Sequence, residues 1–437
     1  MNSNMKDTGI EYIGKIPKDW DVQKIKIFSD IFGRIGFRGY TVSDLVDDGD
    51  GAITLSPSNI ENQKLILDKL QYLSWFKYEE SPEIKIFNND VLLVKTASVG
   101  KVAYVENLNE PATINPQLVV FKNIKINPKY FYYCLISPVI QTQIELSLNG
   151  GVLLTLSQEN ISNYYCTIPS KKVQEDIVRF LDNKINMIDD EINKLNYLID
   201  SYHEYKKSLI SEVVTTGLNN NSPMKNSDID WIGEIPIEWN IIKAKFLFNQ
   251  RNQKGNNIKL QLLSSTQKFG VIPQELYEEL TSMTAVKIKE DTDLSLFKCI
   301  HQNDFWISLR SFEGGFEYCE YEGVVSPAYS VFYPNVDIDN RYYKYLFKEY
   351  GFIENMKSHC MSLRDGKNIS FEDFGNTYIP YPPLNIQHEI ANYLDEKCDF
   401  IDSLVIEKEN LITELEDYKK SLIFEYVTGK KEVPNDV

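Results

Sequence analysis

Two stretches of the chain carry the same helical pattern of apolar positions. These positions are Ile185, Ile188, Ile192, Leu195, Ile199 and Tyr202 in the first stretch, and Cys398, Ile401, Val405, Ile412 and Leu415 in the second. The spacings of three and four residues form the heptad stripe that a long helix buries against a partner helix. Neither stretch contains Pro or Gly between residues 174 and 216 or between 387 and 428. The pattern predicts two helices of about 40–45 residues, each roughly 60–68 Å long.

The two predicted helices are copies of one another. Gln174, Asp182 and Asp189 recur as Gln387, Asp395 and Asp402, and YKKSLI stands at 205–210 and again at 418–423. Every pair lies 213 positions apart (174 to 387, 210 to 423), so no gap interrupts the repeat. We predict that the two helices pack against each other in antiparallel orientation, because a globular segment joins the end of one to the start of the next. The alternative is that each helix lies only on its own half of the chain.

A second repeat precedes each variable segment. IEYIGKIPKDW at 10–20 resembles IDWIGEIPIEW at 229–239. Pro17 and Pro236 restrict the backbone to extended or turn conformations, and Trp20 and Trp239 are large enough to fasten it to a core. We interpret this element as a structural clip without chemistry.

Between the clips and the helices, short strand-like runs alternate with polar loops. In the first half the pattern predicts strands near residues 51–55, 90–95, 102–105 and 117–121, followed by a Tyr-rich helix at 128–146. In the second half it predicts strands at 261–268 and 304–311 and a Tyr-rich helix at 341–354. The shared order indicates one fold used twice with different loop residues.

The predicted fold class is α+β, with two similar recognition domains, each of mixed sheet and helices, separated by a long antiparallel two-helix coiled coil with pseudo-twofold symmetry. We place the boundaries at 1–167 for the first domain with its clip at 10–20, 168–217 for the first helix, 218–230 for a polar linker, 231–378 for the second domain, 379–430 for the second helix and 431–437 for a tail.

Composition limits the classes of function. The 437 residues carry a formal net charge of −17, which argues against a protein that coats nucleic acid along its whole surface, although local basic clefts remain compatible with it. No apolar run approaches the ~18 residues of a membrane helix, and the polar start of the chain does not resemble a secretory signal. The six Cys lie apart, without C-x-x-C pairs, as expected of buried thiols in a reducing cytoplasm.

Several polar loops concentrate the residue types that contact phosphates and base edges. The candidate DNA-binding residues are Arg34, Arg38, Tyr40, Ser58, Asn59, Lys95, Thr96, Ser98 and Lys101 in the first half, and Gln250, Arg251, Lys254, Ser265, Gln267, Lys268, Arg310, Ser311, Arg364 and Lys367 in the second. For each loop, a solvated surface segment without a ligand is the alternative.

Motifs for catalysis are missing. The sequence contains no G-x-x-x-x-G-K-[ST] phosphate loop, no G-x-G-x-x-G after a strand, and no metal-ligand spacing among its four His. Glu83-Ile84-Lys85 imitates the carboxylate–lysine end of a nuclease site, but a three-residue match is common by chance. We therefore expect neither a catalytic residue nor a metal site in this chain.

The duplicated clips IGKIPKDW and IGEIPIEW, with the helix openings QEDIVRFLD and QHEIANYLD and the YKKSLI closings, resemble the specificity subunit of type I restriction–modification enzymes over essentially the whole chain. The resemblance implies that each recognition domain reads one half of a bipartite DNA target and that the helices fix the unread gap. It also implies docking of two methyltransferase subunits and, in some complexes, restriction subunits. The cofactors S-adenosylmethionine, ATP and Mg²⁺ would belong to those partners, and the chain would be cytoplasmic.

Two other classes of function stay open at this point. A scaffold that uses the coiled coil without DNA would suit the acidic charge. An autonomous DNA nuclease or methyltransferase would need a catalytic motif that the sequence does not display.

Overall fold

The computed structural model describes residues 4–148, 155–219, 221–255, 261–266, 270–281, 283, 294–307, 315–360 and 369–434. Its contacts divide the chain into two compact units. Unit 1 contains Met1–Leu195 and Asn410–Val437, and unit 2 contains Asn196–Glu409. Each unit therefore combines one variable half of the chain with the start of one long helix and the end of the other.

The elements up to the end of the first long helix follow the predicted order. The strands are β1 Met5–Asp7, β2 Lys15–Pro17, β3 Asp21–Lys24, β4 Asp30–Phe32, β5 Leu45–Val46, β6 Gly51–Leu55, β7 Ile60–Glu61, β8 Lys64–Leu65, β9 Tyr72–Ser74, β10 Val91–Val94, β11 Val102–Tyr104, β12 Ala112–Ile114, β13 Leu118–Lys122 and β14 Tyr165–Ile168. The helices are α1 Ile25–Phe28, α2 Trp75–Glu79, α3 Pro128–Ile136, α4 Pro138–Leu148, α5 Gln158–Ser162 and α6 Lys171–Thr216.

Unit 1 is built on two four-stranded sheets. One has the order β11-β10-β13-β4 and the other β12-β6-β9-β5, in which β12 and β6 run parallel. Alternate residues of β10 and β13 face two different cores, as the two-residue period of a strand requires. Leu93 and Val119 pack with α3, α4 and the long helices, whereas Leu92 and Val120 pack between the two sheets.

The second half of the chain repeats this series. Its strands are β15 Met224–Asn226, β16 Glu234–Pro236, β17 Asn240–Lys243, β18 Phe248–Arg251, β19 Leu263–Thr266, β20 Gly270–Pro273, β21 Lys298–Ile300, β22 Phe305–Ile307, β23 Phe316–Tyr318, β24 Gly323–Val325, β25 Ser330–Pro334 and β26 Tyr378–Tyr381. Its helices are α7 Gln274–Thr281, α8 Asn340–Leu346, α9 Tyr350–Cys360, α10 Phe371–Asn376 and α11 Leu384–Val427.

One four-stranded sheet and two strand pairs of unit 2 repeat the topology of unit 1. The order β23-β22-β25-β18 repeats β11-β10-β13-β4, and the pairs β15-β16 and β17-β26 repeat β1-β2 and β3-β14. A parallel bridge between Leu262 and Val324 occupies the place of the parallel β6-β12 pairing. The prediction of one fold used twice is confirmed.

The clips fasten each unit to the end of a long helix. Trp20 and Trp239 are buried, at 5% and 3% exposure. Each lies against a glycine just after a helix end, Gly429 for Trp20 and Gly217 for Trp239, and both glycines have positive φ angles of 65° and 80°. A Cβ at Gly429 would lie 3.1 Å from the Trp20 ring, so the glycine permits both the left-handed turn and the close approach.

The long helices pack against each other within each unit. In unit 1 the ring of Phe180 lies 4.4 Å from that of Tyr426, and Asp189 binds Lys419 at 2.6 Å, so residue numbers rise on α6 as they fall on α11. In unit 2 Lys206 binds Asp402 at 2.6 Å. The antiparallel contact is as predicted. The alternative, in which each helix lies only on its own half, is wrong.

The two ion pairs are equivalent under the sequence repeat. Asp189 corresponds to Asp402 and Lys419 to Lys206, each at an offset of 213 (189 to 402, 206 to 419). The heptad positions of both stripes are buried or half-buried, including Leu195 at 4% and Val405 at 7% exposure. The repeated apolar and charged positions therefore set the register of the helix pair.

The Tyr-rich helices connect the sheets to both long helices through a repeated set of hydrogen bonds. The side-chain oxygen of Gln174 accepts the N–H of Asn127, which caps α3, and that of Gln387 accepts the N–H of Asp339, which caps α8. The two distances are 2.8 and 2.9 Å. Both glutamines are buried, so these bonds replace contacts with water that folding removes.

The same helices also bind the far ends of the long helices. The Tyr130 hydroxyl donates to the carbonyl of Val427 at 3.2 Å, and the Tyr342 hydroxyl donates to that of Val214 at 2.8 Å. An aspartate near the start of each long helix accepts from a tyrosine and pairs with a cation. These sets are Asp182 with Tyr133 and Lys129, and Asp395 with Tyr345 and Arg341.

The two Tyr-rich segments differ from the prediction in one respect. Each was predicted as one helix, but 128–146 is split between α3 and α4 and 341–354 between α8 and α9. In unit 1 the break lies at Ser137, whose N–H bonds back to α3, and Pro138 begins the next helix because it lacks the N–H that would continue the first.

Candidate nucleic-acid interface

Three strand ends of unit 1 meet at one polar edge. The N–H of Asn115, just after β12, donates to the carbonyl of Leu55 at the end of β6. The N–H of Lys95, just after β10, donates to the carbonyl of Gln117. The loops that follow these strands therefore start beside one another, and they contain several of the predicted DNA-binding residues.

Lys95 lies at this edge without an acidic partner in the part of the chain that the structure describes. Burial lowers the pKa of its ammonium group, because the charged form loses hydration that no neighbouring carboxylate replaces. An arriving phosphate would supply the missing counter-charge.

The turn after Lys95 presents small hydroxyl side chains. Thr96 is half-buried, and Ser98 is exposed. Ala97 has a φ of 67° and Gly100 a φ of 93°, so two residues of this turn are left-handed. Lys101 follows, and its ammonium donates to the carbonyl of Ile60 at 3.2 Å.

Two of the predicted DNA-binding residues of unit 1 are buried instead. Arg34 is 5% exposed, and its guanidinium donates to the carbonyl of Ile114 at 3.2 Å and to the Thr113 hydroxyl at 3.1 Å. Burial lowers the pKa of this guanidinium. Asn59 is also 5% exposed, and its side chain accepts the N–H of Ser56 at 3.0 Å. Both residues hold loops in place, so we no longer propose that they contact DNA.

The other candidates near this edge have different surroundings. Ser58 is exposed. Tyr40 shares a hydrogen bond of 3.2 Å with the Thr54 hydroxyl. Arg38 forms an ion pair with Glu83 at 3.2 Å, so a DNA phosphate would have to compete with that carboxylate.

In unit 2, too, some of the predicted DNA-binding residues are bound to other side chains and others are exposed. Arg251 binds Asp304 through two hydrogen bonds of 2.6 and 3.0 Å, and it lies over the ring of Tyr333. This bidentate pair engages the Nε and Nη2 edge of the guanidinium, so a base would have to use the remaining N–H groups. Gln250 and Lys254, in contrast, are exposed.

Six of the residues predicted in unit 2 lie outside the described residues; they are Gln267, Lys268, Arg310, Ser311, Arg364 and Lys367. The backbone of Ser265 lies in β19, paired with Val271.

The edge of unit 1 also contains residues that sequence reasoning missed. Asn115 and Gln117 hydrogen-bond to each other through their side chains at 3.0 Å, and Thr155, which is exposed, pairs with the backbone of Thr96. Asn115 just before the strand predicted at 117–121, and Gln117 at its first position, were a usable signal. Thr155 had no such signal in the sequence, because Thr96, with which it pairs, lies 59 positions earlier (96 to 155).

The nuclease-like triplet is not a catalytic arrangement. Glu83 binds Arg38, whereas Lys85 binds Glu79 at 2.6 Å and lies over the ring of Tyr78. Among the described residues, no group of three or more His, Cys, Asp or Glu side chains could hold a metal ion. None of the helices in those residues is long and apolar enough to span a membrane.

The family of the type I restriction modification DNA specificity domain matches the chain twice, at residues 17–198 and 204–417. These two ranges cover most of the sequence. The chain belongs to this family. It is therefore a DNA specificity subunit with two recognition domains, and such subunits recognise DNA without being catalytic themselves.

Individual relatives agree with this assignment. A protein of Methanocaldococcus jannaschii assigned as the specificity subunit of type I restriction enzyme MjaX is 23% identical over 443 residues, which cover 96% of this chain and 95% of that protein. The specificity subunit of type I restriction enzyme EcoBI from Escherichia coli is 24% identical over 224 residues, covering 49% of this chain and 45% of that protein.

The fold also has a solved counterpart. A chain from a structural study of complex assembly and conformational transition of the type I R-M system matches with a TM-score of 0.66. It covers 95% of this chain and 99% of its own length, at 15% sequence identity. This likeness supports the fold alone.

Proposed function

We propose that each unit of this specificity subunit reads one half of a bipartite double-stranded DNA target. The observation that carries the proposal is the presence of two DNA specificity domains in one chain. The loops differ between the halves while the strand order is shared. Two different half-sites are therefore expected rather than a palindrome.

In unit 1 we propose that the reading edge consists of Ser58, Lys95, Thr96 and Ser98, together with Gln117. Hydroxyl and amide groups suit base edges, and the ammonium of Lys95 suits a phosphate or a guanine. Lys101 and Tyr40 border this edge.

In unit 2 we propose Gln250 and Lys254 as contacts. Ser265, Gln267, Lys268, Arg310, Ser311, Arg364 and Lys367 stay predictions from the sequence. Base readout needs side chains whose donors are available, and Asp304 already engages two of the five N–H donors of Arg251.

Substitution of Lys95 tests the assignment of the first reading edge. Lys95→Met, measured in the complex with its methyltransferase partner, is expected to weaken binding to the intact target about tenfold and to reduce the salt dependence of binding by about one phosphate contact. Lys18, an exposed lysine of the clip, provides the matched control as Lys18→Met. Equal losses for the two variants would refute a specific role for Lys95.

We further propose that the helix pair docks two methyltransferase subunits. Three apolar positions on each long helix are exposed at repeat-equivalent places. They are Met187, Leu198 and Tyr205 on α6 and Phe400, Leu411 and Tyr418 on α11. Spacings of 11 and 18 residues bring all three to nearly one face of a helix. Each unit contains one member of each equivalent pair, which supports two copies of one partner: Met187, Leu411 and Tyr418 in unit 1, and Phe400, Leu198 and Tyr205 in unit 2.

Native mass spectrometry of the purified complex tests the docking surface. Tyr418→Ala is expected to reduce the number of bound methyltransferase subunits from two to one. Tyr197→Ala is the control, because Tyr197 is 73% exposed on the other long helix, α6, but corresponds to Asn410 in the repeat. The surface would be wrong if Tyr197→Ala also removed a subunit, or if Tyr418→Ala removed none.

The remaining proposals follow from the family. The methyltransferase partners would use S-adenosylmethionine, and restriction subunits, where they join, would use ATP and Mg²⁺. At about 1.5 Å per residue, the 46 and 44 residues of α6 and α11 give helices of roughly 65–70 Å, long enough to set the gap between two half-sites. We place the complex in the cytoplasm, where its DNA substrate would be.

A further inference from the structure

A short hairpin in unit 1 lies between the proposed reading edge and the long helices. It consists of β7 and β8, in which Glu61 pairs with Lys64. The two turn residues, Asn62 and Gln63, have φ angles of 48° and 63°, as a tight type I′ turn requires. A left-handed glutamine is unfavourable by itself, so other contacts must hold this turn in place.

The base of the hairpin is bonded to residues that border the reading edge. The N–H of Ile66 donates to the carbonyl of Asn59 at 2.8 Å, and the Asn59 amide returns a bond of 3.4 Å to the Ile66 carbonyl. The Lys101 ammonium donates to the carbonyl of Ile60 at 3.2 Å. A displacement of the hairpin would therefore move the loop that carries Ser58.

The tip of the hairpin is bonded to strand β11 and to the helical side of the unit. The Gln63 side chain accepts the N–H of Val102 at 2.7 Å, and its carbonyl accepts the Tyr132 hydroxyl of α3 at 2.8 Å. Lys64 reaches Asp189 of α6 at 2.6 Å. The other oxygen of the same carboxylate accepts from Lys419 of α11, also at 2.6 Å.

Asp189 thus joins three elements with one carboxylate. Its burial would raise its pKa, but the hydrogen bonds from Lys419 and Lys64 hold the pKa of Asp189 below its usual range. The carboxylate is 17% exposed, so water competes with the two lysines only in part.

Unit 2 uses the equivalent carboxylate differently. Both oxygens of Asp402 accept from Lys206, at 2.7 and 2.6 Å. In the part of unit 2 that the structure describes, no side chain of the sheets forms an ion pair with Asp402. The helix-to-helix bond is common to the two units, whereas the bond from hairpin to helix is found at Asp189.

We propose that Lys64 is a positioning residue, which fixes the reading edge of unit 1 against the helix pair through Asp189 and thereby sharpens recognition of the first half-site. The proposal rests on the proposed function, since it presupposes that this edge reads DNA. Lys64 does not itself contact bases in this scheme. Its effect should appear in discrimination between correct and altered half-sites rather than in general affinity.

Competition binding on two duplex series tests the proposal, with the chain in complex with its methyltransferase partner. One series carries substitutions in the first half-site, and the other carries them in the second. Lys64→Met is expected to lower discrimination in the first series about threefold to fivefold, the size appropriate to a partly exposed ion pair, and to leave the second series unchanged. Lys64→Arg should restore discrimination, because it keeps a cation at the same place.

Two further variants separate positioning from a loss of stability. Asp189→Ala removes both bonds and should reproduce the Lys64→Met defect. Lys419→Met removes only the helix-to-helix bond and should retain first half-site discrimination, even if it lowers the melting temperature as much as Lys64→Met does.

The possible results have distinct meanings. Equal loss in both series, no loss for Lys64→Met, or a loss for Lys419→Met as large as that for Lys64→Met would each overturn the role of Lys64. A wild-type complex that discriminates in neither series would overturn the proposed function as well. Loss confined to the first series, with rescue by Lys64→Arg, would support the proposal.

Discussion

Unit 1 and unit 2 attach their sheets to the long helices through the same hydrogen bonds, but they fill their interiors differently. In unit 2 the rings of Phe248, Phe305, Phe316, Phe332 and Phe347 are all buried in one cluster. At the strand positions that correspond to Phe305 and Phe316, unit 1 has Val91 and Val102. The polar connections are thus repeated, whereas the volumes of the apolar side chains are not.

This difference shows which part of the architecture tolerates change. An interior can be refilled when the total volume is kept, because packing is non-directional. A buried amide or hydroxyl needs its partner at a fixed distance and angle, since an unmade bond is costly. The repeated polar residues therefore identify the attachment to the helices more reliably than the core residues do.

The largest expected effect concerns the aromatic interior of unit 2. Phe316→Ala should lower the free energy of unfolding of unit 2 by about 3–5 kcal/mol, because a large cavity remains. Val102→Ala, at the equivalent place in unit 1, should cost only about 2 kcal/mol. Hydrogen exchange resolved by peptide would measure each unit separately. Equal losses would show that the two interiors are energetically alike despite their composition.

The next effect concerns the shared glutamines. Gln174→Ala and Gln387→Ala should each lower stability by about 1–3 kcal/mol, since each leaves a buried backbone N–H without a partner. Local amide exchange should rise at Asn127 in the first variant and at Asp339 in the second. If one of the two variants left the stability unchanged, the two attachments would not be equivalent.

A smaller effect should distinguish the caps of the Tyr-rich helices. Asp339 caps α8, whereas the uncharged Asn127 caps α3. Burial alone would raise the pKa of Asp339, but hydrogen bonds from Arg341 and His388 hold that pKa below its usual range. The carboxylate therefore stabilises unit 2 fully above the unfolded pKa of about 3.9, and this contribution is lost as the pH falls through the lower folded pKa.

Acid titration followed by amide exchange in residues 340–346 would measure this loss. We expect about 1 kcal/mol, the usual size of a capping interaction, with no matching change in residues 128–136. Asp339→Asn is the control and should remove the pH dependence. A parallel loss in both helices would assign the acid sensitivity to other groups.

The long helices were predictable because their signal is local and repeated. Their heptad positions and the absence of Pro and Gly are visible within one stretch of sequence, and the second copy confirmed the frame. The break at Ser137 was less visible, since Pro at the first turn of a helix and Pro after a helix look alike in sequence.

The reading residues were harder to predict because a charged side chain does not reveal its partner. Arg34 and Arg251 were both chosen for their guanidinium groups. Arg34 binds Thr113, 79 positions away, and Arg251 binds Asp304, 53 positions away. Lys95 has the same charge and no such acceptor among the described residues. Only the folded arrangement separates these cases.

Unit 1 is assembled from two separate stretches of the chain, and this sets the order in which the two units can fold during synthesis. Unit 2 is one continuous stretch, so all of its parts exist once Glu409 has been synthesised. The core of unit 1 is incomplete until Leu422, Ile423 and Tyr426 have been synthesised, and Tyr130 can form its hydrogen bond to α11 only when Val427 follows. The half that is translated first is therefore the half that is completed last.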